Sequence, residues 1–165
     1  MRALIALILS LSLCLVPRTA DACQYVRWSI FQIFTGAEIV AVVKAGKRAN
    51  DATQELAMIK VIKSAGVVPA VVRVKTFEDC GVAFDEGRIY LVHIDDKHRI
   101  AGYGAGIIQA PSAALIEAVE LWKNTPTLDK RTDLLRRFAK STDPRVAEEA
   151  KIMLEIMPKK PRRSR

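Results

Sequence analysis

The stretch AEIVAVVKA, residues 37–45, decides the fold. It is short, rich in valine, and charged only at Glu38 and Lys44. β-Branched content over so short an apolar run reads as a buried strand. The segments C-terminal to it repeat the theme. GKRANDAT, residues 46–53, reads as a polar turn region. In ELAMIKVIK, residues 55–63, Leu56, Met58 and either Val61 or Ile62 point one way, with Lys60 and Lys63 outward. AVVRVKT, residues 70–76, alternates Val72 and Val74 with Arg73 and Lys75. RIYLVHI, residues 88–94, is a further strand by its β-branched and aromatic content, and RIAGY, residues 99–103, a fifth. Five short strands parted by Gly, Asp and Asn turns predict a small antiparallel barrel or sandwich.

On the near side of this run, VRWSIFQIFTG, residues 26–36, predicts a segment or short helix that packs Trp28, Phe31 and Phe34 on the sheet. On the far side the period changes. Residues 104–112, GAGIIQAPS, read as a linker in which Pro111 opens a helix. Three amphipathic segments come next. Residues 112–123 set Leu115, Val119 and Trp122 on one face, and residues 129–140 do so with Leu134, Leu135 and Phe138. Residues 145–157 turn Val146, Ala150, Met153 and Leu154 inward. Asp143 is the expected N-cap of the last helix and Pro144 its first residue. Glu148 and Glu149 read as ordinary surface charges. The expected class is therefore α+β: a five-stranded antiparallel barrel followed by about three helices.

The N-terminus has another character. Arg2 precedes an uncharged apolar run, Ala3 to Val16, and Ala20-Asp21-Ala22 forms a small-x-small site. That is the pattern of a secretory signal peptide, residues 1–22, and the apolar run is short of the roughly 20 residues that span a bilayer. Cleavage after Ala22 makes Cys23 the first mature residue and places the protein outside the cytoplasm, secreted or periplasmic. No transmembrane segment is expected in the mature chain. A lipid anchor on Cys23 fits less well, because Ala20 stands where a lipobox carries an apolar residue such as Leu, and Pro17 and Arg18 interrupt it.

Half of the residues are hydrophobic, enough for a real core. The formal charge is +8. Losing Arg2, Arg18 and Asp21 with the leader leaves +7, and the tail PKKPRRSR, residues 158–165, holds five of those charges: Lys159, Lys160, Arg162, Arg163 and Arg165. The body is thus only mildly basic. The tail reads as a disordered end, or as an anchor to an anionic surface through salt-sensitive attraction. For an exported chain, a specific nucleic-acid role is not expected. Cys23 and Cys80 remain outside the leader. In an oxidising compartment they predict one disulfide, worth about 4 kcal/mol for a loop of this length, with two separate buried thiols as the alternative.

Cys23 behind the leader, IFTGAEIVAVVKAG, Cys80 and GRIYLV together resemble the netrin-like module, the OB-type barrel of tissue inhibitors of metalloproteinases and of bacterial secreted relatives. Phe34, Ala37, Val40, Cys80, Gly87, Tyr90 and Leu91 occupy matching positions over about half of the mature chain. The resemblance implies an OB-type barrel over residues 23–106, with a helical region over 107–157. It also implies a mature N-terminal cysteine paired to the later one, and a partner-binding edge at Cys23, Gln24 and Tyr25. Inhibitors of the family chelate a protease zinc through the first cysteine's amine and carbonyl, so metalloprotease inhibition is one implied activity. The chain departs from them at Tyr25, which stands where they carry a second cysteine, and it has one possible bridge. TDPRVAEEAKIMLEIM, residues 142–157, is similar to the second helix of a HEAT-type repeat, against the plainer reading of generic packing helices.

The remaining constellations carry little chemistry. His93 and His98 flank Asp95 and Asp96 in spacing that suits a turn rather than a metal site. Cys80 lacks the orienting groups of a catalytic nucleophile. GYGAG, residues 102–106, lacks the Lys-Ser/Thr of a phosphate loop and reads as a flexible exit from the sheet. Asp85 and Glu86 are adjacent and point apart, which disfavours paired acid–base work. No catalysis, cofactor or metal is expected. The sequence points to an exported binding module engaging a protein through the Cys23 edge and the barrel loops; the alternative is an envelope-associated structural protein held by the basic tail.

Overall fold

The computed structural model describes residues 27–50, 53–76, 83–102 and 105–157. Its elements are helix α1 (Ile30–Gly36), strands β1 (Ile39–Asn50), β2 (Thr53–Lys63), β3 (Val71–Lys75), β4 (Ile89–Ile94) and β5 (Ile107–Gln109), then helices α2 (Ala113–Lys123), α3 (Leu128–Phe138) and α4 (Pro144–Ile156). The architecture is α+β, with one antiparallel five-stranded sheet in the order β3-β2-β1-β4-β5.

β1 reads as a nearly unbroken apolar run because both faces of the sheet are buried along it. One face, Val40 and Val42 with Ile62, Leu91 and Ile108, packs on all four helices through Phe31, Leu115, Trp122, Leu135 and Ala150 among others. The other, Ala41, Val43 and Ala45, joins Leu56, Val72, Val74, Tyr90, Val92, Ile94 and Ile100 in a second cluster. The sheet curls over this second cluster. Register shifts in the β1–β2 ladder, at Val40/Ala41 and Val42/Val43 among other places, supply the extra twist that bulged ladders give. The curl brings Lys75 beside Arg99 in an isolated parallel bridge, where the Lys75 N–H donates to the His98 carbonyl at 2.8 Å. The barrel is not closed by a ladder: among the described residues β3 and β5 stay apart as the two edges of an open sheet.

Several sequence expectations need correction. The segment 46–53 is not a turn region: β1 runs on to Asn50 and β2 starts at Thr53, with Arg48 opposite Gln54. The hairpin arm is polar because it stands away from both cores. A Cβ at Gly46 would lie 3.3 Å from the Glu55 carbonyl, and Gln54 Nε2 donates to the Gly46 carbonyl at 2.7 Å. The fifth strand is not residues 99–103 but Ile107–Gln109, paired with Tyr90–Val92 inside the expected linker. Ile100 makes only a bridge to Ile94, and the chain then turns through Gly102, whose φ of 66° is left-handed. Gly106 lets it double back: a Cβ there would sit 2.7 Å from the Ala101 carbonyl. In β2 it is Ile62 that is buried, while Val61 is 40% exposed. Helix α2 opens not at Pro111 but behind Ser112, whose hydroxyl accepts the Leu115 N–H at 3.0 Å.

Of the segment or short helix expected over residues 26–36, the structure shows a helix at Ile30–Gly36. Phe31 is fully buried, 5.1 Å from Trp122 and stacked on Phe138 at 5.7 Å between ring centroids. Asp143 caps α4 as expected, accepting the Arg145 and Val146 N–H groups at 3.0 and 2.9 Å, with Pro144 in the first turn.

Candidate functional site

Helix α1 is fastened at both ends. At its N-terminus Ser29, fully buried, accepts the Phe31 N–H and donates its hydroxyl to the Glu149 carbonyl at 2.9 Å. The Glu149 carboxylate accepts the Ile30 N–H at 2.9 Å and meets Arg145 Nη2 at the same distance. Next to it, Arg27 pairs with Glu148. Glu149 is 2% exposed, so its reading as a surface charge is overturned. Burial pushes its carboxyl above the ordinary glutamate range, partly offset by the Ile30 N–H and Arg145. A signal was present in the sequence. Val146, Glu149, Ala150 and Met153 fit the i, i+3, i+4, i+7 spacing of an inward stripe, which places Glu149 on the buried face of α4.

At the C-terminus of α1, Lys63 Nζ donates to the Phe34 and Ala37 carbonyls at 2.7 and 2.6 Å and lies 5.0 Å from the centre of the Phe34 ring. Lys63 is therefore not outward as expected; it serves the negative end of the helix and the orphan carbonyls there. Lys60 is exposed and pairs with Glu120 of α2 at 2.6 Å.

His93 lies behind the same helix end, fully buried, edge-on to Phe34. Its Nδ1 stands 3.2 Å from the Gly106 carbonyl, so that nitrogen carries the proton, and its Nε2 is buried without a partner among the described residues. Burial holds the ring neutral, with its pKa pushed down to about 4. His98, at φ 57°, belongs to the turn in which Asp95 accepts the Lys97 and Arg99 N–H groups and the Arg99 guanidinium. The hairpin turn expected for His98, Asp95 and Asp96 is thus in place. Among the described residues no three His, Cys, Asp or Glu side chains gather where they could hold a metal ion. Asp85 sits in a second turn, its N–H donating to Tyr90 Oη at 2.8 Å, and its neighbour Glu86 is exposed.

Two surface features remain. The first is the rim made by β2, β3 and their connection, where Ile59 (55% exposed), Val61, Val67 and Val71 (49%) leave apolar side chains in solvent. Arg73 stands beside them, bound to Glu55 at 2.9 Å. β3 is an edge strand. Lys75 directs its N–H away from β2, so the alternation of an antiparallel ladder directs the backbone groups of Val71 and Arg73 the same way. The second is a cleft of about 420 Å³ between β5 and the starts of α2 and α4, where Ser112 Oγ meets Asp143 Oδ2 at 2.5 Å.

The expected partner-binding residues Cys23, Gln24 and Tyr25, the cysteine Cys80, the leader and the tail cations Lys159, Lys160, Arg162, Arg163 and Arg165 lie outside the described residues. Among the described residues no helix is long and apolar enough to cross a membrane. No protein-family model matches the chain, and no curated protein is significantly similar to it.

Proposed function

We propose that the chain is an exported, non-catalytic binding module that engages a protein partner through its N-terminal Cys23–Tyr25 edge and the loops of the sheet. The observation that carries this reading is the β2–β3 edge and its connection, where Ile59, Val67 and Val71 each leave an apolar side chain in solvent. Apolar side chains beside an edge strand whose backbone groups face outward suit a partner that adds to the sheet edge. The curled sheet, with a cluster enclosed on one face and the Lys75–Arg99 bridge at its mouth, supports a partly open OB-type barrel as the scaffold. Barrels of that kind bind through a sheet face and its loops, although a scaffold by itself does not fix a function.

The test is a photo-crosslinking residue at Val67, fully exposed, in cells that make the protein, with the same residue at Glu117 on α2 as comparison. A protein adduct from Val67 alone supports the reading; adducts from neither or equally from both argue against it. Intact mass before and after reduction settles the N-terminus in the same preparation. A chain that begins at Cys23 and gains two hydrogens on reduction fits the disulfide-held edge. A mass raised by acyl chains removes that edge from the account.

A second reading has its own observation. Five of the six residues other than proline in residues 159–165 are cationic, which favours retention at an anionic envelope surface. Deleting residues 158–165 would release the protein from the envelope under this reading and leave a rim partner bound.

A further inference from the structure

We propose that the end of the helical layer where α4 stops is a docking surface for an anionic phospholipid leaflet. The inference deepens the tail-anchoring reading and uses a face unrelated to the β2–β3 rim. A groove of about 200 Å³ opens there, lined by Trp122, Leu128, Arg131, Met153, Ile156 and Met157. Two large aliphatic side chains at its lip are left in water: Leu128 is 55% exposed at the start of α3 and Ile156 is 48% exposed at the end of α4. Both helices are otherwise amphipathic in the ordinary sense, with Leu134, Leu135, Val146 and Ala150 buried. Leu128 and Ile156 therefore form an apolar lip on a face that the helices do not cover.

The charge around this lip argues for lipid. Arg131 lies over the Trp122 ring at 4.7 Å and donates its Nε–H to the Thr125 carbonyl at 2.7 Å, which fixes a cation at the groove. Lys123 at the end of α2 and Lys130 on α3 are exposed, with Asp129 and Glu155 as carboxylates nearby in sequence. The chain then leaves the groove at Met157 and within eight residues adds Lys159, Lys160, Arg162, Arg163 and Arg165. Aliphatic side chains flanked by Lys and Arg match a leaflet whose headgroups are negative and whose interior takes up the apolar lip. Either element alone binds weakly, and two signals together hold.

The experiment is co-sedimentation of the protein, carrying whichever N-terminus the cell leaves on it, with vesicles of phosphatidylglycerol and phosphatidylcholine or of phosphatidylcholine alone. Binding to the anionic vesicles, weakened by salt, is expected. Deleting residues 158–165 should weaken it at least ~10-fold. The Leu128→Ser/Ile156→Ser variant should weaken it ~5-fold or more with an unchanged melting curve, since both side chains are already about half in water. In a Trp28→Phe background, brominated acyl chains should quench Trp122. Loss of binding on tail deletion with no effect of the serine variant and no quenching overturns the groove and leaves the tail reading standing. Equal binding to phosphatidylcholine alone, or no binding to either vesicle, overturns the lipid proposal altogether. Self-association of the wild type that the serine variant abolishes assigns the lip to a second copy and overturns it as well.

Discussion

The Glu149 carboxylate accepts the backbone N–H of Ile30 at 2.9 Å, across 119 residues of chain. This bond, the Ser29 hydroxyl on the Glu149 carbonyl and the Arg145 guanidinium fasten the first helix to the last. They hold Phe31 against Trp122 and Phe138, and so tie the helical layer to the sheet. Glu149→Ala leaves a buried N–H without an acceptor and should cost about 2–4 kcal/mol in urea unfolding. Glu149→Gln keeps an acceptor oxygen and should cost roughly 1 kcal/mol. A loss below about 0.5 kcal/mol for the alanine variant would remove the contact from the account.

His93 gives the fold a pH dependence of known sign. Its pKa falls from 6.5 to about 4 on folding, so the native state favours the neutral ring. The stability this contributes is complete above pH 6.5 and is lost as pH falls toward 4, by about 3 kcal/mol in all. Glu149 acts in the opposite sense: its raised carboxyl favours the fold at low pH, and that contribution fades as pH rises through its shifted value. Asp95 and Asp143, both held below the ordinary range, lose theirs only in stronger acid. His93→Asn, able to donate to the Gly106 carbonyl without titrating, should flatten the stability profile between pH 6.5 and 4.5. Denaturant midpoints across that window check it, and an unchanged slope would remove His93 as its source.

Lys63 caps α1 from another element. Lys63→Met keeps the aliphatic stem over Phe34 and removes the donors to the Phe34 and Ala37 carbonyls. A loss of about 1–2 kcal/mol is expected, with faster amide exchange at Ala37, whose N–H closes the helix on Ile33.

Gly106→Ala should destabilise by about 1–3 kcal/mol, because the new methyl meets the Ala101 carbonyl at 2.7 Å and the His93 Cβ at 3.1 Å. Gly36→Ala, where nothing lies within 4 Å, serves as the control and should shift the melting temperature far less.

These side chains also mark how much of the molecule was legible in its sequence. β1, β3, β4 and the three late helices could be read because one physical signal governs each, a β-branched run or an apolar stripe. β5 could not, since three residues between glycines and a proline hold no period; its place is set by the close approach at Gly106. The hairpin arm beyond Gly46 was hidden by its polarity, which reflects solvent on both sides of a paired ladder. Glu149 and Lys63 read as external for a common reason, although the stripe of Val146, Ala150 and Met153 already places Glu149 on the inner face of α4. A charged residue looks external until the backbone groups it serves, supplied by a distant helix, are known. The rim at Ile59 and Val71 was likewise invisible, because alternation shows which residues share a face and not whether anything covers it.

The central claim is a protein partner engaged through the N-terminal edge and the loops of the sheet, and crosslinking from Val67, in the loop between β2 and β3, tests it most directly. The account predicts a discrete protein adduct at Val67 that is absent at Glu117 and lost on Val71→Asp in a protein with an unchanged melting curve. Adducts at neither site, or an adduct at Val67 that survives Val71→Asp, would contradict it.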